Sequence, residues 1–187
     1  MPRIDHNSPY ILEIADVLSL EECQALITKI DAMDPYVAPI NTAFGPQLHT
    51  DVRNNERVMF DDEDLAGRLF DKARDRVPDV VLSLKLVSAN ERIRCYRYKP
   101  GMRFAPHRDG SFRRDDSEQS LYSYLVYLNA GFKGGETRFF TEPEIAVKPE
   151  VGKGLLFQHS IIHEGALVTE GVKYVARTDL MFRRQAG

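Results

Sequence analysis

Three side chains in the second half of the sequence have the types and the spacing of a metal site. His107 and Asp109 are separated by one residue, and His163 follows His107 by 56 residues. On a strand, His107 and Asp109 would project to the same side, because side chains alternate between the two faces. Two imidazoles and one carboxylate leave coordination positions open, as oxygen-activating iron(II) sites require. The spacing alone is a weak signal, since a His-x-Asp pair with a later histidine also occurs by chance.

A lysine ten residues after His163 indicates that an anion binds near this site. Lys173 opens a segment in which Lys173, Arg177 and Asp179 would share one face of a strand. A lysine that points into a protein interior is costly unless it meets an anion. A dicarboxylate meets this need, because its far carboxylate can pair with Lys173 while its keto-acid end chelates the metal. Arg177 could reach the same dicarboxylate, the substrate or a structural carboxylate.

The residues after about position 84 have the pattern of an antiparallel β structure. Short runs rich in Val, Ile, Tyr and Phe alternate with turn signals, such as Lys99-Pro100-Gly101 and the glycines between 131 and 135. Many short strands with regular turns favour an antiparallel sandwich or barrel over a parallel α/β sheet. We therefore predict a double-stranded β-helix, or jelly-roll, core that brings the histidine-bearing segments together.

The residues before position 84 are predicted to be mainly helical. Ser19 and Glu22 have the spacing of a capping box, and apolar residues follow it at helical spacing. A second helix is predicted to start near Asp61 or Asp62 and to stop by Pro78.

The predicted fold class is α+β. The 187 residues are enough for one domain with its own core, and no repeat or linker divides them. We expect a single domain over 1–187, with a helical N-terminal part at about 1–83 and the jelly-roll core at about 84–184. The N-terminal helices are expected to pack on one face of the strands.

The composition argues against several classes of protein. The formal net charge of −3 gives no bulk attraction to nucleic acid or to a membrane surface. The two cysteines, Cys23 and Cys95, form neither a disulfide framework nor a CxxC pair, which favours a reducing compartment. No segment has the roughly 20 apolar residues of a transmembrane helix, and the first residues lack the apolar centre of a signal peptide. We therefore expect a cytoplasmic protein without a nucleic-acid or membrane partner.

Several short motifs follow one another in a specific order over residues 90 to 184. They are YKPGMRFAPHRD (98–109), YLN (127–129), GGETRF (134–139), VKP (147–149), GKGLLF (152–157), HEG (163–165) and GVKY (171–174). In this order and spacing, the sequence resembles the iron(II)- and 2-oxoglutarate-dependent dioxygenases, and among them the prolyl 4-hydroxylase type.

The resemblance implies a set of cofactors and site residues. His107, Asp109 and His163 would hold Fe(II), and Lys173 would bind 2-oxoglutarate as cosubstrate. Tyr98 would contact 2-oxoglutarate as well. Tyr127 would also contact 2-oxoglutarate. The alternative for both tyrosines is that they are strand aromatics that fill the core. O2 is the second cosubstrate, and ascorbate is expected as a stimulant.

The resemblance also implies a reaction. Oxidative decarboxylation of 2-oxoglutarate to succinate and CO2 would drive hydroxylation of an unactivated C–H bond. The intact carboxylate of Asp109 favours hydroxylation, because related halogenases have a small residue there that leaves room for halide. The expected substrate is a prolyl residue of a peptide or protein. Phe104 stands where many relatives have tyrosine and is not expected to make a polar contact.

Other residues have open interpretations. Arg94 and Asn55 are the first candidates for a polar substrate pocket, with a solvated face as the alternative. The loop at about 110–119 is either a lid over the metal or an ordinary solvated loop. His159 is expected to be a surface or loop histidine, because its segment lacks a helix cap and the glutamate of the HExxH zinc motif.

Two other functions remain open on the sequence alone. A compact chain without a long peptide-binding extension could hydroxylate a free amino acid or another small metabolite. In a different class, the chain could be a non-catalytic jelly-roll module that binds a metal such as zinc. Loss of a metal ligand or of the basic residue would favour such a module, and all four residues are present.

Overall fold

The protein is described here by a computed structural model that covers residues 10–185. Within these residues, two α-helices and a short 3-10 turn accompany a mostly β structure. The helices are α1 (Leu20–Ala32) and α2 (Glu63–Ala73), and the 3-10 turn is Arg74–Arg76. None of the described helices is both long and apolar enough to span a membrane.

The strands are numbered in chain order. They are β1 (Ile11–Ile14), β2 (Tyr36–Val37), β3 (Ile40–Thr42), β4 (Gly45–Gln47), β5 (Glu56–Asp61), β6 (Val80–Val81), β7 (Leu84–Ala89), β8 (Arg92–Tyr98), β9 (Phe104–His107), β10 (Glu118–Tyr127), β11 (Lys133–Gly134), β12 (Thr137–Phe139), β13 (Ile145–Val147), β14 (Gly154–Gln158), β15 (His163–Gly165), β16 (Val168–Glu170) and β17 (Lys173–Arg184).

The two helices begin where their capping residues predict. At α1, the backbone N–H of Glu22 donates to the Ser19 hydroxyl, and the Glu22 carboxylate accepts from the Ser19 N–H. At α2, the Asp62 carboxylate accepts from the N–H of Leu65. Both caps satisfy N–H groups that the first helical turn leaves unpaired.

The part before residue 84 needs a correction, because it is not mainly helical. It contributes six strands, β1 to β6. Besides β6, three of them belong to the larger sheet, namely β1, β2 and β5. β1 pairs with β14, and β5 pairs with both β8 and β2. Without these strands, β14 and β8 would expose unpaired backbone N–H and C=O groups along their edges. These N-terminal segments therefore complete the larger sheet of the fold.

Two antiparallel sheets form the jelly roll. The larger sheet has the order β1-β14-β10-β17-β8-β5-β2, and the β6–β7 hairpin pairs with the far end of β17. The smaller sheet has the order β13-β12-β15-β9. The strands that carry the predicted metal site, β9 and β15, are therefore neighbours in the smaller sheet.

The two faces of the larger sheet belong to separate apolar clusters. Ile93 and Cys95 of β8 pack in one cluster, together with buried residues of α1 and α2. Tyr96 and Tyr98, which alternate with them, pack in a second cluster that includes Phe139 of the smaller sheet. The second cluster lies between the sheets and surrounds the predicted site.

Candidate active site

The two histidines of the predicted metal site face each other across a strand pair. In the pairing of β9 with β15, His107 lies directly opposite His163. Asp109 follows β9, and its N–H donates to the carbonyl oxygen of His159 at 3.0 Å. One ligand atom from each of His107, Asp109 and His163 lies within 4.8 Å of the others. The Nε2 atoms of both histidines are 3.6 Å from the Asp109 carboxylate oxygens.

The backbone fixes the orientation of both imidazole rings. His107 Nδ1 donates to the carbonyl oxygen of Ala105 at 2.8 Å, and His163 Nδ1 donates to that of Ile161 at 3.0 Å. Because a carbonyl oxygen only accepts, each Nδ1 carries the proton and each Nε2 keeps its lone pair for a metal. Burial lowers the pKa of His163 to about 4, so this ring is neutral at pH 7, as a ligand must be.

The Asp109 carboxylate is buried and is held from two sides. Arg177 Nη1 donates to Oδ1 at 2.6 Å, and the Ser123 hydroxyl donates to Oδ2 at 2.5 Å. Burial alone would raise the pKa of Asp109, but Arg177 and the two histidines hold that pKa well below its usual range. The group is therefore an ionised carboxylate that can bind a cation.

A chain of hydroxyl and imidazole groups continues behind Asp109. Since Ser123 donates to Asp109, its oxygen accepts from His159 Nδ1 at 2.9 Å, and His159 Nε2 accepts from the Ser120 hydroxyl at 2.8 Å. His159 is only 7% exposed, and burial lowers its pKa to about 4. Of the two expected positions, the loop is confirmed and the surface is wrong: His159 lies in the turn after β14, but its side chain points into the interior, where two serines satisfy both ring nitrogens.

Lys173 is buried at the start of β17 and lines the same inner cavity as the three metal-site residues. Its Nζ donates to the carbonyl oxygen of Gly135 at 2.6 Å and lies 5.0 Å from the ring centre of Tyr98 and 5.6 Å from that of Tyr127. Burial lowers the pKa of Lys173 to about 7, although Glu136 partly opposes the shift. Among the described residues, no carboxylate lies within 4.0 Å of this ammonium. The cavity thus offers a cation that lacks an ionic partner.

The two tyrosines near Lys173 have different positions. Tyr98 lies directly opposite Lys173 in the pairing of β8 with β17 and lines the inner cavity. Tyr127 is fully buried, and its hydroxyl is 2.7 Å from that of Thr137, which does line the cavity. Sequence reasoning did not single out Thr137, although it lies in the GGETRF motif that supports the resemblance.

Arg177 also lines the inner cavity, where two carboxylates engage its guanidinium. Besides Asp109, it contacts Asp179 Oδ1 through Nε at 3.1 Å and through Nη2 at 2.9 Å. Asp179 in turn accepts from Arg94 Nη1 at 2.8 Å. Of the three possible roles considered for Arg177, these contacts match a structural carboxylate partner.

Of the two residues predicted for a substrate pocket, one lines a cleft and one does not. Arg94 lines a second, outer cleft, which adjoins the inner cavity and shares His107, Asp109 and Arg177 with it. Asn55 is fully buried outside both linings, and its side-chain oxygen accepts from Arg53 Nε at 2.8 Å. Arg53 lines both cavities, so Asn55 reaches the cleft only by holding Arg53.

The loop after Asp109 borders the outer cleft with Gly110, Ser111 and Phe112. It is tied to β10, because the N–H of Phe112 donates to the Ser120 hydroxyl and the N–H of Ser120 donates to the Phe112 carbonyl, both at 2.8 Å. Arg114 makes a double contact with the Glu91 carboxylate. The loop therefore forms one wall of the cleft.

Comparisons with known proteins agree with this geometry. Residues 93–178, which include the three metal-site residues and Lys173, match the family description "2OG-Fe(II) oxygenase superfamily". No curated protein sequence matches the chain. Among solved structures, a viral collagen prolyl hydroxylase from Paramecium bursaria chlorella virus-1, in complex with 2-oxoglutarate, is 21% identical with a TM-score of 0.66, covering 94% of this chain and 97% of that chain.

Two further structures show the same fold. A prolyl-4-hydroxylase from Pseudomonas putida is 20% identical with a TM-score of 0.64, covering 97% of this chain and 96% of that chain. A prolyl hydroxylase from Trichoplax adhaerens, in complex with a peptide fragment of the hypoxia inducible factor oxygen degradation domain, is 13% identical with a TM-score of 0.72, covering 93% and 83%. The family match over residues 93–178 and the convergent His-Asp-His site make the chain similar to the 2OG-Fe(II) oxygenase superfamily, and the solved prolyl hydroxylases share its fold.

Proposed function

We propose that this chain hydroxylates an unactivated C–H bond of a prolyl residue in a peptide or protein. The observation that carries the proposal is the inner cavity, in which two imidazoles, an ionised carboxylate and a buried lysine face the same space. Members of the superfamily use Fe(II), 2-oxoglutarate and O2. Bound together, these cofactors supply the oxidative decarboxylation to succinate and CO2 that drives the hydroxylation.

The donor set fits iron(II). Two imidazole nitrogens and one carboxylate oxygen are the ligands of non-haem iron oxygenases, which keep their other positions open. In this proposal, His107, Asp109 and His163 hold the metal. Arg177 and Ser123 orient the Asp109 carboxylate, so that its geometry is set before a metal binds.

The surroundings of Lys173 fit the far carboxylate of 2-oxoglutarate. A carbonyl oxygen and two aromatic rings are its neighbours, and none of them neutralises an ammonium. A carboxylate would restore the charged form that burial disfavours. Tyr98 and Thr137, which line the cavity beside Lys173, would donate further hydrogen bonds to this carboxylate.

The rest of the chain supports the site. We regard residues 1–187 as one catalytic domain, in which the N-terminal helices pack against the outer face of the larger sheet and make its strands rigid. The outer cleft, which opens beside His107 and Asp109, receives the substrate. Both cysteines are free thiols, and this is consistent with a cytoplasmic location.

Anaerobic reconstitution with Fe(II) and 2-oxoglutarate, followed by addition of O2, tests the proposal. Succinate should form only when both metal and O2 are present, and prolyl peptides should gain one oxygen atom by mass spectrometry. The Asp109→Ala variant should lose both products, whereas Arg74→Ala, at an exposed residue outside the linings of the inner cavity and the outer cleft, should keep both. If succinate never forms, the chain is no 2-oxoglutarate oxygenase; if it forms while free amino acids alone gain oxygen, the peptide assignment is wrong.

A further inference from the structure

The outer cleft is unusually rich in arginine. Its volume is about 480 Å³, which is room for a substrate side chain with its neighbours. The charged residues of its lining are Arg53, Arg57, Arg94, Arg108, Arg177 and a single acid, Asp109. The whole chain has more acidic than basic residues, 28 against 25, so this concentration of positive charge is local.

Two of these arginines are neutralised by carboxylates of the protein. Arg177 is paired with Asp109 and Asp179, and Arg94 is paired with Asp179. The paired arginines therefore do not account for the positive excess of the cleft.

The other three arginines lack a carboxylate within 4.0 Å among residues 10–185. Arg108 donates Nε to the carbonyl oxygen of Ser160 at 2.9 Å. Arg57 has one contact of 3.4 Å to the Tyr36 hydroxyl, and its Nε is buried without a hydrogen-bond partner. Neutral oxygens do not offset a guanidinium charge, so each of these side chains keeps its full charge toward the cleft.

Arg53 is the most informative of the three. It is 7% exposed and lines both the inner cavity and the outer cleft. Its guanidinium lies over the rings of Tyr96 at 4.9 Å and Phe104 at 4.3 Å, and Asn55 is its one hydrogen-bond partner within the described residues. The amide of Asn55 and the two aromatic rings fix the orientation of the buried guanidinium, but none of them carries the negative charge that would balance it.

We propose that the outer cleft binds an anionic group of the substrate, a carboxylate or a phosphate, through Arg53, Arg57 and Arg108. The inference extends the proposed function by naming the substrate class of that site. Guanidinium groups bind both kinds of anion through paired N–H donors. Because Arg53 stands between the cleft and the metal-site cavity, an anion bound there would hold the neighbouring part of the substrate against the metal.

Inorganic sulfate serves as the probe, and it is titrated calorimetrically into protein loaded with Mn(II) and 2-oxoglutarate. Loading fills the inner cavity, so that sulfate reports on the outer cleft. We expect saturable binding of one sulfate per chain, weakened at least tenfold in Arg108→Met and in Arg53→Met. Arg53→Lys, which keeps the charge, should recover part of the affinity, and Arg74→Met, an exposed arginine elsewhere, should bind like the wild type.

Absence of saturable sulfate binding would overturn the proposal, and so would affinity that is unchanged in the cleft variants. Arg108 is exposed and its replacement does not threaten folding, so a failure of Arg53→Met to fold leaves the test intact. Competition experiments then identify the source of the anion. If a Glu-Pro-Glu peptide displaces sulfate and a Gln-Pro-Gln peptide does not, the anionic group belongs to an acidic peptide. If only free glutamate displaces sulfate, the anionic group belongs to a small acid.

The sulfate result is independent of the proposed catalysis. If 2-oxoglutarate does not bind with Mn(II), the proposed function fails, while sulfate binding to the unloaded protein can still be measured. If 2-oxoglutarate binds and sulfate does not, the oxygenase assignment stands and the anionic substrate class is wrong.

Discussion

At the scale of single residues, the proposed role of the buried Lys173 implies that cosubstrate binding depends on pH. Lysine in an unfolded chain has a pKa of about 10.4, and burial lowers that of Lys173 to about 7 in the folded protein. Below this pKa the residue is already charged and ready for a carboxylate. Above it, the neutral amine must first take up a proton from solution to become an ammonium, and this uptake opposes binding.

We therefore predict that the affinity for 2-oxoglutarate is constant below pH 7 and falls by up to about tenfold per pH unit above it. Calorimetric titration of 2-oxoglutarate into the Mn(II)-loaded protein between pH 6 and pH 9 measures this dependence. Lys173→Arg keeps its charge over the whole range, so its affinity should be flat with pH. A wild-type affinity that rises with pH would contradict this role of Lys173.

The hydroxyl of Ser123 connects Asp109 to His159 and gives a second prediction. Ser123→Ala should weaken Mn(II) binding by about 10- to 100-fold, because the carboxylate loses a hydrogen bond that fixes its orientation. The same change leaves the Nδ1–H of His159 unpaired in the interior, which should cost about 1–3 kcal/mol of the free energy of unfolding. Calorimetry and urea denaturation measure the two effects.

Ser160→Ala, at an exposed serine, is the matched control for Ser123→Ala. Equal Mn(II) affinities in the two variants would show that the chain of hydrogen bonds behind Asp109 does not position the metal ligand.

The sequence was sufficient to predict the charged and metal-binding residues of the site, because such side chains are uncommon in a protein interior. His107, Asp109, His163 and Lys173 lie in motifs with fixed spacing, and the structure brings all four to one cavity. The burial of His159 was not predicted, because its environment comes from serines 36 and 39 residues away in the chain. Such a partner depends on strand register, which periodicity does not determine.

At the scale of elements, a single turn joins the start of α1 to the core. The carbonyl oxygen of Gly152 accepts from the N–H groups of Val17 at 2.9 Å and Leu18 at 3.3 Å, and its own N–H donates to the Tyr127 carbonyl at 2.8 Å. Its φ is +74°, and a Cβ at this position would lie 2.1 Å from the carbonyl oxygen of Leu18. A side chain is therefore excluded both by conformation and by space.

Gly152→Ala should accordingly destabilise the fold by about 3 kcal/mol or more, since backbone strain and a backbone clash add. Gly131→Ala separates the two causes, because Gly131 has a φ of +84° but no atom within 4 Å of an added Cβ. We expect a loss of about 1–2 kcal/mol for this variant, from strain alone. Urea denaturation of both variants would contradict the account if the two losses were equal.

Helices were easier to predict than strands for a physical reason. The starts of both helices can be predicted from the local sequence, because a capping residue acts on N–H groups only a few residues away. The capping residues are Ser19 with Glu22 for α1 and Asp62 for α2. By contrast, β5 pairs with β8 along its whole length, and its residues Glu56–Asp61 show no regular alternation of buried and exposed side chains. Local periodicity therefore did not predict the strands before residue 84.

At the scale of the whole molecule, the two faces of the larger sheet have different structural roles. One face packs in the cluster that contains the buried residues of both helices, and the other closes with the smaller sheet around the inner cavity. The long strand β17 carries Lys173, Arg177 and Asp179, so one element sets the spacing between the lysine and the partner of the metal-site carboxylate. β17 is paired with β8 on one side and with β10 on the other, and these ladders hold the strand in place.

The central claim is that a metal and a dicarboxylate share one cavity between the sheets. Calorimetric titration of 2-oxoglutarate, with and without Mn(II), measures this most directly. The account predicts one 2-oxoglutarate per chain, bound tightly only when Mn(II) is present, and lost in Lys173→Ala although that variant still binds Mn(II). Binding that is the same without the metal, or unchanged in Lys173→Ala, would contradict it.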